Sequence, residues 1–256
     1  MKTPHLTIAT GLCLILWPFS IANGAPCGGD IDDKPKLQHV DEMLTNGQNQ
    51  QALHLLELIS APDDAGSADR LWRLARVYYE RGRLEANNAA QLFKKSEDYA
   101  RTAIKRAPDC SDSYKWLAIA LGAQMKYLDM QTRVRQSREI KENIDKAIEL
   151  DPEDDISYLV LSRWHYKLSG LGIVARTFAR IIYGGIPDAS LAEAEKLLLQ
   201  AIALRDRISH RYNLAKVYDR LKRNDDKQIQ LQKALLLPVT FPEEAEEQQK
   251  AREKLK

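Results

Sequence analysis

The side chains that could carry chemistry are scattered along this sequence. Four of the five histidines fall in the body of the chain, and none stands at metal-ligand spacing from another histidine, a cysteine or a carboxylate: His39, His54, His165 and His210. No serine lies in the glycine-flanked context of a nucleophile elbow, and the paired glycines are typical of turns rather than phosphate loops. The sequence therefore predicts no catalytic residue, no cofactor and no metal site, and we do not expect an enzyme.

Two charged clusters fit helix electrostatics better than ligand binding. Asp151 and residues 153–155 form an acidic cluster, but it lacks the alternating ligands and the glycine of a calcium loop. We expect these carboxylates to favour the N-terminus of the next helix. A basic run over residues 133–141 is interrupted by Glu139. We interpret it as a solvated helix face, with anion binding as the alternative.

Composition describes an ordinary globular chain. Of its 256 residues, 44% are hydrophobic and 29% are charged. Lysine and arginine number 38 against 36 acidic residues, which gives a net charge of +2. This is too little for a general attraction to nucleic acid or to an anionic membrane. Charge-based recognition must therefore come from local patterning, and no nucleic-acid partner is predicted.

The elements that must position any functional residue are helical hairpins. Four segments repeat a 3-1-3 spacing that places four residues on one helical face: Leu71, Leu74, Ala75 and Tyr78; Tyr114, Leu117, Ala118 and Leu121; Tyr158, Leu161, Ser162 and His165; and Arg211, Leu214, Ala215 and Tyr218. Three of the paired helices end at a proline, as in tetratricopeptide repeats. We predict an all-α, right-handed tetratricopeptide-like superhelix over residues 37–256, with His165 as a packing residue rather than a ligand.

The spacing of these hairpins is irregular. The equivalent alanines Ala103, Ala147, Ala201 and Ala234 are 44, 54 and 33 residues apart, whereas an unmodified repeat has about 34. We therefore expect long helices in the first two repeats and an insertion over residues 168–189 in the third, with an apolar helical middle at Ile173–Tyr183. A polar helix from Pro242 onward is predicted to cap the stack.

The opposite face of each first helix is predicted to line a concave groove. Cations and large rings alternate there: Trp72, Arg76, Tyr79, Arg163, Tyr166, Tyr212 and Lys216. Guanidinium groups bind carboxylates and aromatic rings supply contact area at low entropic cost, so this surface suits an acidic peptide or a terminal carboxylate. The alternative is that the C-terminal helix or the insertion fills the groove.

The N-terminal residues resemble a secretory leader. Residues 6–21 are mostly apolar but are interrupted by Pro18, and Ala22-Asn23-Gly24 offers small residues for cleavage before Ala25. We predict a signal peptide over residues 1–24 and a disordered leader over 25–36, hence a secreted or periplasmic protein. A retained membrane anchor is the alternative, and an uncleaved N-terminus would then be the chain's only contact with a membrane.

Of three cysteines, Cys13 would leave with the signal peptide. Cys27 and Cys110 remain. In an oxidising compartment they could form a disulfide, but two unpaired thiols are equally compatible with the sequence, because it does not show whether the residues approach each other.

The irregular pattern itself resembles a known family. The segments SYKWLAIALGAQMKYL and IKENIDKAIELDPEDDISYLVLSRWHYKLSGL, followed by residues 183–187 and AEAEKLLLQAIAL, are similar to the regulator of microtubule dynamics proteins. The likeness runs from Ala68 to the C-terminus. It implies a tetratricopeptide-like fold and association with microtubules, with no catalytic set to transfer. A secretory leader departs from that family's role, because an exported protein does not meet a microtubule.

Two main hypotheses and one weaker one follow. The first is a non-enzymatic, exported scaffold that binds a protein or peptide, acidic in character, in its groove. The second is a cytosolic or membrane-anchored microtubule-associated protein. A weaker third hypothesis is a helical-repeat protein that contacts lipid through Ile173–Tyr183.

Overall fold

The structure is a computed structural model that describes Cys27 and residues 33–59, 67–172 and 188–255. Within these residues every regular element is helical. Eleven α-helices are described: α1 (Lys34–Thr45), α2 (Asn49–Leu58), α3 (Ala68–Leu84), α4 (Ala89–Arg106), α5 (Ser111–Gln124), α6 (Met130–Leu150), α7 (Asp155–Ser169), α8 (Leu191–Leu204), α9 (Ile208–Arg220), α10 (Asn224–Leu236) and α11 (Pro242–Lys254). Short 3₁₀ turns follow α3 and α5.

Helix α1 begins at Lys34, three residues inside the segment predicted to be a disordered leader. Pro35 lies in its first turn, where the missing N–H costs no intrahelical hydrogen bond. The predicted boundary at residue 37 was therefore wrong by about one turn. Residues 1–24 and most of the leader lie outside the described residues.

Side-chain caps begin four of the helices. Ser67, Asp129, Asp154 and Ser190 each accept a hydrogen bond from a backbone N–H in the first turn of α3, α6, α7 and α8. Such caps satisfy N–H groups that have no partner within the helix. Asp154 belongs to the acidic cluster at residues 151–155, so the expectation that this cluster supports a helix N-terminus is confirmed.

The helices pair in order along the chain. Helices α3 and α4, α5 and α6, α7 and α8, and α9 and α10 form hairpins, and α3, α5, α7 and α9 also pack against one another in sequence. The residues predicted to share one face of each first helix are buried, except Tyr114, Tyr158 and Arg211, which are partly exposed. The small residues among them, Ala75, Ala118, Ser162 and Ala215, are at most 2% exposed. Small side chains allow neighbouring backbones to approach closely, so the hairpins stack into a solenoid. The predicted all-α tetratricopeptide-like architecture is confirmed.

A disulfide joins Cys27 to Cys110, with their Cα atoms 4.8 Å apart. Both residues are buried, and Cys110 immediately precedes α5. The bond ties the segment before α1 to the turn between α4 and α5, across 83 residues of sequence. Between the two alternatives that the sequence left open, the structure shows the paired one.

No helix in the described part of the chain is both long and apolar enough to cross a membrane. The predicted apolar helix at Ile173–Tyr183 lies outside the described residues, as does most of the insertion.

Two glycines inside helices give a matched test of the packing. A Cβ built on Gly82 of α3 would stand 2.6 Å from Cε1 of the buried Phe93, whereas one on Gly122 of α5 would meet nothing within 4 Å. We expect Gly82→Ala to lower the free energy of unfolding by about 1–2 kcal/mol, because overpacking outweighs the gain in helix propensity.

Gly122→Ala is the control and should raise the free energy of unfolding by about 0.5–1 kcal/mol through helix propensity alone. Urea unfolding followed by circular dichroism measures both changes. Equal effects of the two substitutions would contradict the packing of α3 on α4.

The buried His165 predicts a pH dependence of stability. Its side chain is 7% exposed, and its Nδ1 accepts a hydrogen bond from the Ser190 N–H at 3.4 Å. Burial, together with the positive charge of Lys141, lowers the pKa of His165, although Glu193 and Asp145 oppose the shift. The unfolded chain therefore binds this proton more readily than the native chain, so stability is full above about pH 6.5 and declines as the pH falls below it.

We expect His165→Gln to remove part of this slope, at most about 1.4 kcal/mol per pH unit. Urea unfolding between about pH 5 and pH 8 measures the slope. His54→Gln, at an exposed position of α2, is the control and should keep the wild-type slope. The interpretation fails if the two variants behave alike.

Candidate partner-binding groove

Four of the seven predicted groove residues share one cavity. Trp72, Arg76 and Tyr79 on α3 and Arg163 on α7 face a volume of about 300 Å³, which α5 and the start of α11 also line. Sequence reasoning missed two rings in its wall, Trp116 and Phe241. The concave surface predicted from helical periodicity is therefore present between α3, α5 and α7.

The other three predicted residues lie away from this cavity. Tyr212 is buried in a cluster with Ala251 of α11 and Leu255, the residue that follows this helix. Lys216 lies between the rings of Tyr166 and Tyr212, at 5.0 and 5.8 Å from their centroids. The C-terminal helix packs on α9 and α10 at this point, so it fills the last part of the groove, as one alternative from the sequence anticipated.

Arg76 is the least satisfied cation of the cavity. Its side chain is 13% exposed, its Nη1 is 4.0 Å from Asp41, and it makes no hydrogen bond to any described residue. Asp41 is already held by two hydrogen bonds from Arg73, at 2.7 and 3.0 Å. The guanidinium is 5.7 Å from each of two ring centroids, those of Trp116 and Phe241. Burial lowers the pKa of Arg76. Its N–H donors are free to meet an acceptor that enters the cavity.

Carboxylates from the chain itself oppose the other cations. Lys115 contacts Asp112 at 2.6 Å and Asp154 at 3.2 Å. Burial alone would lower the pKa of Lys115, but these two carboxylates raise it above its usual value. Burial and the neighbouring Glu243 raise the pKa of Glu80, which also lines the cavity. The first cavity is therefore of mixed charge, and not the cationic surface that the sequence indicated.

Helix α11 supplies part of this charge. Its Glu243 pairs with Arg83 at 2.8 Å, and its Glu247 pairs with Arg163 at 3.0 Å. Glu244, fully buried, accepts hydrogen bonds from the backbone N–H groups of Thr240 and Phe241 at 2.8 and 3.2 Å. The helix that the sequence predicts as a polar cap thus also lies across the concave face.

The sequence carried a signal for this placement. Phe241-Pro242 precedes two glutamates spaced four residues apart, Glu243 and Glu247, so these two carboxylates share one helical face. A terminal helix exposed to solvent on all sides would not require two carboxylates on one face. Only their partners on α3 and α7 could not be inferred from the pattern.

A second cavity of about 230 Å³ adjoins the first along Tyr79, Ile119 and Arg163. Its walls are mostly apolar, and Lys167 lies at its edge. Beyond it, an open depression of about 580 Å³ is lined by four cations over Tyr79 and Phe93: Arg83, Lys126, Arg133 and Lys167. Of these four cations, only Arg133 belongs to a cluster noted in the sequence, the basic run over residues 133–141. For that run, anion binding was the alternative to a solvated helix face.

Tyr79 connects the three spaces. It lines both cavities and the depression, and its ring centroid is 5.8 Å from those of Phe93 and Trp116. Burial raises the pKa of Tyr79, so its hydroxyl stays protonated at neutral pH. The groove is thus continuous around one aromatic side chain.

Nothing in the described residues forms a group of three histidine, cysteine or acidic side chains that could hold a metal ion. His165 and His210 have separate partners, the Ser190 N–H and the Arg205 carbonyl.

The comparisons with known proteins agree with the resemblance noted in the sequence. Regulator of microtubule dynamics protein 3 of Bos taurus is 28% identical over 229 residues, 88% of this chain and 48% of the relative. The Xenopus laevis protein of the same name is 30% identical over 215 residues, 82% of this chain and 46% of the relative. The chain thus spans about half the length of these relatives.

A solved structure supports the fold alone. A thermophilic tetratricopeptide-repeat protein of Thermus thermophilus matches with a TM-score of 0.64 and 21% identity, covering 87% of this chain and 98% of that one. The model of the family Regulator of microtubule dynamics protein 1-3 matches residues 36–256. That match covers all the described helices, apart from the first two residues of α1. This chain therefore belongs to the family of regulator of microtubule dynamics proteins.

Proposed function

We propose that this chain is a non-enzymatic scaffold that binds a segment of a protein partner in the groove between α3, α5 and α7. The observation that carries the proposal is Arg76, a largely buried guanidinium that faces a cavity and has no hydrogen-bond acceptor among the described residues. The guanidinium lines the cavity and keeps hydrogen-bonding capacity beyond its 4.0 Å ion pair with Asp41. A ligand that brings an acceptor to Arg76 gains a charge-assisted hydrogen bond.

The cavity limits what can enter. A volume of about 300 Å³ is at the lower end of ligand sites, enough for one or two side chains. Its wall combines the rings of Trp72, Tyr79 and Trp116 with the guanidinium of Arg76. Buried rings and arginines are the residues that dominate binding energy at interfaces. We propose that an apolar side chain enters between the rings while a carboxylate or carbonyl of the partner reaches Arg76.

The proposal uses only the open part of the groove. Tyr212 and Lys216 lie under α11, so a partner would have to displace that helix to reach them. The family and the tetratricopeptide-like fold support a scaffold role, because stacked hairpins present a concave surface to partners.

Arg76→Gln tests the groove. Proteins recovered from the native host by affinity capture on the wild-type chain are identified by mass spectrometry, and the recovery of each is then compared between variants. We expect the specific partner to bind Arg76→Gln at least about ten-fold more weakly, since a hydrogen bond to a charged group contributes roughly 1.5–3 kcal/mol. The melting temperature should change little, because Arg76 makes no hydrogen bond within the described chain.

Arg106→Gln, an exposed arginine at the end of α4, is the matched control and should retain the partner. Undiminished recovery by Arg76→Gln would exclude this groove from the function.

The cellular compartment of this chain is a second proposal, separate from the groove. We propose export, which the leader predicted over residues 1–24 supports. The Cys27–Cys110 disulfide also supports it, since such bonds persist in oxidising compartments. Family membership favours a second candidate, association with microtubules from a cytosolic or membrane-anchored position, because the relatives are named as regulators of microtubule dynamics.

N-terminal sequencing of the protein from its host separates the two candidates. Export predicts Ala25 as the first residue and no sedimentation with polymerised tubulin. A retained Met1 together with sedimentation would overturn export and support microtubule association.

A further inference from the structure

Helix α11 shows which chemistry the concave face accepts. Two of its carboxylates, one helical turn apart, reach cations on two different helices: Glu243 pairs with Arg83 of α3, and Glu247 with Arg163 of α7. Ser209 also donates a hydrogen bond to Glu247 at 2.5 Å. An acidic segment of the chain itself is therefore already seated on this surface.

The basic surface continues beyond α11. Lys126, Arg133 and Lys167, together called the basic rim here, line the same open depression as Arg83. All three are exposed. No carboxylate of the described residues lies within 4.0 Å of any of them, whereas Nη1 of Arg83 contacts both Glu80 and Glu243, at 2.9 and 2.8 Å. The internal acidic segment thus neutralises the first cations and leaves the rim uncompensated.

The floor of the depression is aromatic. Tyr79 and Phe93 lie beneath the rim, and the Lys126 ammonium is 5.9 Å from the Phe93 ring and 4.8 Å from the Tyr127 ring. Although the Lys167 side chain is exposed overall, the protein atoms around its ammonium displace water, and this desolvation, together with the repulsion of Arg163, lowers the pKa of Lys167. A carboxylate brought to the rim would relieve that repulsion, because an opposite charge favours the charged form of the lysine.

We propose that the basic rim binds an acidic peptide segment of a partner, which lies beside α11 and extends its row of carboxylates. The inference rests on the proposed scaffold function for the class of partner, but it uses residues that are separate from Arg76. Arg83 and Arg163 stay with α11, and the partner's carboxylates pair with Lys126, Arg133 and Lys167. Tyr79, which is only partly buried, supplies contact area for the partner's apolar atoms.

The test measures a defined acidic peptide rather than an unknown ligand. A fluorescein-labelled peptide of about a dozen residues, roughly half of them glutamate, is titrated with the full chain at low ionic strength, where screening is weak. Fluorescence anisotropy gives the Kd. We expect the triple variant K126E/R133E/K167E to weaken binding by at least about ten-fold, and added salt to weaken wild-type binding steeply.

A charge-matched control variant is K105E/R106E/K233E. It reverses three exposed cations on α4 and α10, none of which has an ion pair within the described chain. It should keep the wild-type Kd within about two-fold, a difference too small for a lost charge pair. If the rim variant with glutamates does not fold, as judged by circular dichroism, K126Q/R133Q/K167Q replaces it and should still lose affinity.

Three outcomes overturn the proposal: no binding of the peptide to the wild-type chain, equal losses in the rim and control variants, or rim-dependent capture by phosphatidylserine vesicles without peptide binding. Comparing backgrounds separates this inference from the proposed function, because the rim substitutions should weaken peptide binding by the same factor in the wild-type chain and in Arg76→Gln. Loss of peptide binding at the rim with full partner recovery by Arg76→Gln would refute the groove at Arg76 alone. The reverse pattern would refute the rim alone.

Discussion

The packing of α3, α5, α7 and α9 against their hairpin partners is the contact on which the rest of the structure depends. Each of these four helices carries a small, essentially buried residue on its packed face: Ala75, Ala118, Ser162 or Ala215. The Ser96 hydroxyl also donates to the Ala75 carbonyl at 2.7 Å, which fixes α4 against α3. A larger side chain at these positions would separate the backbones. The concave wall would then open, because its residues project from the opposite face of the same helices.

Burial of the stripe therefore determines the geometry of the groove. Leu74, Leu117 and Leu214 pack into the core on one face of their helices. The residues about half a turn away therefore lie on the opposite face and line the groove. This is why Trp72, Arg76 and Tyr79 meet residues of α5 and α7, although these elements lie far apart in sequence. The aromatic content of the hollow is then a consequence of helical periodicity combined with stacking.

Helical periodicity does not explain how the charges inside the groove are paired. The chain places its own carboxylates on three of the cations that line the groove: Asp112 on Lys115, Glu243 on Arg83, and Glu247 on Arg163. A buried charge without a partner is costly, so this internal pairing stabilises the fold. Among the described residues, Arg76 has only a long ion pair with Asp41, at 4.0 Å, and the basic rim has no carboxylate within that distance. These are the cations on which the proposed binding surfaces rest.

The sequence by itself determined the architecture and much of the groove. Periodicity predicted the packed faces of the first helices, and the acidic cluster at residues 151–155 predicted the start of α7, because these signals lie within single helices or between neighbouring ones. The resemblance to the family, which the family match confirms, likewise came from segments of the sequence. Only the tertiary structure decided three things: that α11 crosses the groove, that Cys27 meets Cys110, and that Lys126, Arg133 and Lys167 share one depression. The contacts involved join residues as far apart as Arg83 and Glu243, 160 positions in sequence. Local patterns carry no information about such pairs, because it is the stacking of the intervening hairpins that brings them together.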